Sequence, residues 1–121
     1  MINTFQINDQ NINFVNESKN TRHGFKHVSR LYVNGMPISE GTRYYYNRTW
    51  EVYRFQSSMI ECVEKAIKWY ADDLKENIMQ KNNWKRLSPA RSETIKKAIE
   101  NEKNIQFYNS ILKYLKDNCL N

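Results

Sequence analysis

Cysteine, glycine and histidine are all scarce in this chain, and each scarcity removes a class of function. The two cysteines among its 121 residues, Cys62 and Cys119, stand far apart in helix-like stretches, which excludes a disulfide framework and a paired zinc motif. Both are expected to be small buried or half-buried side chains of a reducing compartment. Three glycines are too few for a phosphate-cradling loop, and no Walker, GxGxxG or GxSxG motif is present. The two histidines, His23 and His27, lie in one short segment with neither an HExxH acid nor paired cysteines beside them, so no metal site is expected. Asp72, Asp73 and Glu76 read as a solvated helix face. No window approaches the ~20 apolar residues of a membrane span. The start, MINTFQINDQ, lacks the basic and apolar regions of a secretion signal, so a cytoplasmic location is expected. No nucleophile stands beside a base and an orienting group, so the chain is read as a binding protein without cofactor, not as an enzyme.

What is present is basic charge and aromatic side chains. A net charge of +6 and a sequence pI near 9.3 favour polyanionic partners through long-range attraction. A 40% hydrophobic share allows one modest core and hence a single domain over residues 1–121. Lys81, Lys85, Arg86 and Arg91 fall in KNNWKRLSPAR with no intervening acid, making a basic patch around Trp84. The other helix-like stretches mix signs, as solvated helix faces do.

Two periodicities divide the chain. Residues 1–48 are β-prone and residues 49–121 helical, which predicts an α+β fold: an antiparallel hairpin or three-stranded sheet followed by two long antiparallel helices. Residues 1–20 alternate weakly through Phe5, Ile7, Ile12 and Phe14, giving one edge strand or two short ones, and ESKNTRHG reads as a polar connection. Asn34-Gly35 between two β-prone runs is the dipeptide that a two-residue type I′ hairpin turn prefers, since both positions need φ > 0.

A regular ladder from that turn pairs Val33 with Met36, Leu31 with Ile38 and Phe25 with Tyr44. Phe25, Leu31, Val33, Met36, Ile38 and Tyr44 would then face the core. The other face would set Lys26 across from Arg43, Arg30 across from Ser39, Tyr32 beside Pro37, and Tyr45 at the strand end. Like charges directly opposite on a sheet repel. Such a pair either has an anion over it or splays into water with its stems covering Tyr32 and Tyr45. Candidate contacts to nucleic acid or another partner are therefore Lys26, Arg30, Tyr32, Arg43 and Tyr45 on the sheet, and Trp84, Lys85 and Arg86 between the helices. Arginine and lysine interleaved with tyrosine and tryptophan suit phosphate contact with base stacking, or with groove insertion on a duplex.

From Thr49, a candidate cap, Met59, Val63, Ile67, Tyr70, Leu74 and Ile78 recur at helical spacing, predicting a helix from about Trp50 to about Lys81. Ser88-Pro89 supplies a cap and first-turn proline for a second helix, whose stripe is Ile95, Ala98, Ile105, Tyr108, Leu112 and Leu115. Trp69 and Phe107 fall at the stripe edges, free for a partner or a dimer.

The stretches SKNTRHGFKHVSRLYVNG and NRTWEVYRFQSSM, over roughly residues 17–65, resemble small accessory proteins of phages and mobile elements of low-GC Gram-positive bacteria. Trp50, Tyr53, Arg54 and Gln56 carry the resemblance most clearly. Read structurally, Trp50 and Tyr53 pin the helix start to the sheet, and Arg54 with Gln56 fixes the strand-to-helix corner. The resemblance implies a nucleic-acid-binding regulator or an inhibitor of host defence, anti-CRISPR proteins included. Two functions are expected from it and the charge. The first is inhibition of a host defence protein or protein–RNA complex, such as a CRISPR effector nuclease, inside the bacterial cell. The second is direct binding of DNA or RNA by a basic aromatic sheet face.

Overall fold

The computed structural model describes residues 3–46, 55–83 and 89–118. It is an α+β fold: a four-stranded antiparallel sheet in the order β1-β2-β3-β4, then two helices. The strands are β1 (Thr4–Ile7), β2 (Gln10–Thr21), β3 (Gly24–Val33) and β4 (Met36–Tyr45), and the helices α1 (Gln56–Asn83) and α2 (Pro89–Asn118). The weakly alternating N-terminus thus forms two strands, and ESKNTRHG is no loose connection. Its residues continue β2 to Thr21, which pairs with Gly24 across a turn at Arg22 and His23.

Asn34 and Gly35 have φ of 51° and 81°, as the Asn-Gly turn requires. Asn8 and Asp9, at 50° and 63°, make the corresponding turn between β1 and β2. Asn34 also ties its turn to β2. Its amide nitrogen donates to Asn11 O and its Oδ1 accepts from Asn11 N, both at 2.8 Å, while its Nδ2 donates to Gln10 Oε1.

Beyond the Asn-Gly turn the regular ladder fails. Val33 pairs with Met36 and Tyr32 with Pro37, but Leu31 then pairs with Ser39, leaving Ile38 as the extra residue of a bulge. Proline has no N–H to give the ladder, so a bulge at this place is its ordinary accommodation. From there onward every β4 side chain is on the face opposite to the one regular pairing assigns. Lys26 stands across from Tyr44, and Arg43 across from His27. Leu31 is buried as expected, whereas Met36 and Tyr44, expected in the core, are 67% and 56% exposed.

The core lies between the sheet and the helices. Ile12, Phe14 and Leu31 from the sheet meet Met59, Cys62, Val63 and Ala66 of α1 and Tyr108, Ile111 and Leu115 of α2. Phe5 of β1 stacks on Tyr114 of α2 at 4.0 Å between ring centroids. The helices run antiparallel, since Gln56 at the start of α1 donates to Leu115 O near the end of α2. Of the expected stripes, Met59, Val63, Tyr108 and Leu115 are buried, Ile78 is 43% exposed, and Asn77 is buried one residue earlier. Asn77 Nδ2 donates to Asn101 Oδ1 at 2.8 Å, and Asn101 Nδ2 donates to Asp73 Oδ2 at 2.9 Å. A polar layer therefore replaces apolar packing where the two helices meet beyond Tyr70.

A polar seam also joins β3 to the start of α1. Ser29 Oγ donates to Asn16 Oδ1 at 2.7 Å and lies 2.6 Å from Ser58 Oγ, and the Cys62 thiol donates to Ser29 O at 3.0 Å. Burial pushes the Cys62 thiol up from 9.0 to about 12. The unfolded chain releases this proton near 9.0 while the folded chain holds it to about 12. Above 9 the unfolded state binds fewer protons, so stability present in full below that pH is lost progressively between the two values. Burial raises the Tyr108 hydroxyl as well, which steepens the loss above its ordinary 10.0. Urea midpoints in a Cys119→Ser background are expected to fall between about pH 8 and about pH 11, with part of the slope vanishing in Cys62→Ala.

The outer edge of β4 is closed. Thr42 N donates to Glu61 Oε2 and Lys65 Nζ donates to Glu40 O, both at 2.9 Å, so α1 side chains occupy edge groups that another strand would need.

Candidate polyanion-binding face

The sheet presents one face to the helices and the other away from them. On the outward face, directly paired residues form rows across β2, β3 and β4: Lys19-Lys26-Tyr44, Glu17-Val28-Thr42, Val15-Arg30-Glu40 and Asn13-Tyr32-Pro37. These rows decide which of the expected contacts come together.

Lys26 keeps its outward position, but its like-charged neighbour is Lys19 of β2, not Arg43 of β4. Lys26 Nζ lies 6.0 Å from the centre of the Tyr44 ring, which is itself more than half exposed. Arg22, in the adjoining turn, is exposed too, as are His23 and, at 70%, Tyr46. The end of the sheet nearest this turn is thus cationic and aromatic. Lys19 has one carboxylate within reach, Glu17 at 3.9 Å, and Lys26 has none among the described residues.

Arg30 is also outward, in a different electrostatic setting. It lies 3.1 Å from Glu40 and 3.5 Å from Glu17, which neutralise it. The hydrogen bond to Glu40, then that carboxylate's charge, raises its already high pKa further. Tyr32 lies on the same face beside Pro37, three rows from Lys26.

Arg43 and Tyr45 are on the helix-facing side. Arg43 lies 3.8 Å from Glu61 of α1, and the Tyr45 ring centre is 4.9 Å from that of buried His27, which also stacks on Phe55 at 4.3 Å. The expected outward pair of Lys26 with Arg43 is therefore corrected to Lys26 with Lys19. Trp84, Lys85 and Arg86 lie outside the described residues, as do Thr49, Trp50, Tyr53, Arg54 and Ser88.

Lys19, Arg22 and Tyr44 were missed as site residues for two reasons legible in the sequence. Thr-Arg-His-Gly joins two runs that pair without interruption, and Pro37 signals a bulge that moves Tyr44 outward. Elsewhere, Trp69 is 62% exposed and meets Tyr70 edge-on at 4.7 Å, while Phe107 packs half-buried against the core. Pro37, Ile38, Ala66, Trp69 and Tyr70 line a groove of about 460 Å³ beside the closed β4 edge. Among the described residues, no three of His, Cys, Asp and Glu gather as metal ligands, and no helix is long and apolar enough to cross a membrane.

A four-stranded antiparallel sheet with both helices on one side, and a cationic aromatic row on the other, defines the class of the chain as an α+β protein with an open sheet face. Set against protein-family models, curated proteins and solved structures, the chain matches none.

Proposed function

We propose that the protein acts by binding rather than by catalysis, and that its partner presents phosphate to the turn end of the outward sheet face. The observation that carries this reading is the direct opposition of Lys19 and Lys26, with Arg22 in the adjoining turn. Opposed like charges cost stability in the free protein, and an anion across them removes that cost. Arg30, one strand face but two rows away, shows the contrast, because two carboxylates already satisfy it.

The resemblance to phage and mobile-element accessory proteins supports a partner inside the bacterial cytoplasm, namely a host defence nucleoprotein such as a CRISPR effector nuclease with its guide RNA. The protein would inhibit it by occupying the phosphate-bearing surface. Its positive charge sets it apart from inhibitors that imitate DNA. The exposed Tyr44 ring beside the lysines supports the second reading, a free DNA- or RNA-binding module.

Fluorescence-anisotropy titration of RNA and DNA at low and near-physiological salt tests the phosphate contact and separates the two readings. A free module binds naked nucleic acid at both salts with a steep salt slope. Lys19→Glu with Lys26→Glu is expected to weaken binding at least tenfold and to flatten the slope by about two phosphate contacts. An inhibitor binds naked strands weakly but blocks cleavage by the loaded effector, and the same double substitution relieves the block. Unchanged binding and unchanged inhibition in that folded variant would defeat the proposal.

A further inference from the structure

Resting on the polyanion reading above, we infer that the Lys19-Lys26-Tyr44 row takes single-stranded nucleic acid, with one base stacked on the Tyr44 ring and flanking phosphates on the two lysines. Three features of the row select this ligand among polyanions. The row is continuous, since its members come from three adjacent strands in direct register. Cα atoms of directly opposed residues on such strands are about 4.5–5.5 Å apart, so a base on one side chain and a phosphate on the next fall within one nucleotide's reach. Lys26 Nζ lies over the Tyr44 ring, 6.0 Å from its centre, so a cation already stands at the ring that would carry the base.

The ring is also available. Tyr44 is 56% exposed, and on the outward face it stands apart from the aromatic cluster of His27, Tyr45 and Phe55 on the helix side. A solvated tyrosine face beside cations is the arrangement on which unpaired bases stack, largely irrespective of base identity. Duplex bases are already stacked on one another and offer a sheet face their backbone and groove edges but no ring to stack on. Polyphosphate has no base to offer. Tyr46, two residues further along and 70% exposed, extends the aromatic surface beyond the end of β4.

The test measures binding of the full chain, at low salt, to four probes: a short single-stranded oligonucleotide, an abasic strand of the same length, a duplex, and inorganic polyphosphate. The wild-type chain is expected to bind the base-bearing strand about tenfold more tightly than the abasic one, the scale of one base–aromatic stack. Tyr44→Ala is expected to erase that difference while leaving abasic and polyphosphate binding unchanged, and Tyr44→Phe to keep it. Equal binding of base-bearing and abasic strands by the wild-type chain overturns the inference without recourse to a variant, and so does a duplex bound as tightly as the single strand. In both cases the phosphate contact stands, provided that Lys19→Glu with Lys26→Glu still weakens all four probes. Failure of every probe to bind the folded wild-type chain overturns the inference and the free-module reading together.

Discussion

Replacing Gly41 by alanine is expected to lower the unfolding free energy by about 3 kcal/mol, the upper part of the usual range for overpacking. For a domain of this size that corresponds to roughly 10–15 °C in Tm. An added Cβ would come 2.2 Å from Ser58 O and 2.8 Å from Cys62 N. Both are backbone atoms of α1, and neither can rotate out of the way. The helix therefore sits against the strand at a distance only glycine permits, and the polar seam of Ser29, Ser58 and Cys62 exists at that same distance. Gly35 provides the comparison. A Cβ there meets nothing within 4 Å, but φ is +81°, so Gly35→Ala is expected to cost only about 1–2 kcal/mol, from backbone strain alone. Thermal unfolding followed by circular dichroism distinguishes the two. Equal losses would mean that the close approach at Gly41 relaxes freely and that α1 is not held there.

The polar layer between the helices gives the second large effect. Asn77 and Asn101 are 7% and 4% exposed, and each satisfies the other or Asp73. Asn101→Leu takes the acceptor from the buried Asn77 amide and a donor from the half-buried Asp73 carboxylate, at an expected cost of about 2 kcal/mol. Asn77→Leu with Asn101→Leu is expected to recover most of this, because a matched apolar pair restores packing and leaves Asp73 to turn toward water. Chemical denaturation of both singles and the double closes the cycle. Additive losses, instead of a coupling of at least about 1 kcal/mol, would show that the two amides do not act as a unit. The recovered stability would come with weaker control of helix register, since two leucines can meet in more than one alignment and two asparagines cannot.

The fold class was legible because its signals are local. Asn34-Gly35 needs only its own backbone to turn, and Pro89 only its missing N–H to start α2. The site was less legible because it depends on pairing across distance. One extra residue at Ile38 was enough to carry Arg43 and Tyr45 to the helix side and Tyr44 outward. Alternation gives two faces but not their register beyond an irregularity, and a single-residue shift exchanges the faces. Lys26 survived as a candidate because it lies on β3, before the bulge can act on it. Ser29, Ser58, Asn77 and Asn101 were invisible as core for a different reason. Polar side chains are read as surface until their partners are known, and each of these finds its partner on another element.

A strand at the border of an open sheet presents unpaired N–H and C=O groups with which another copy can pair. Here Lys65 and Glu61 hold the Glu40 carbonyl and the Thr42 amide, and the bulge at Ile38 with Pro37 spoils the rest of that border. The opposite border is different: β2 runs on past β1, so among the described residues Val15 to Thr21, Lys19 of the cationic row included, have a strand partner on the β3 side alone. Charged side chains on an edge discourage pairing with another strand, so Lys19 also guards the border that α1 does not cover.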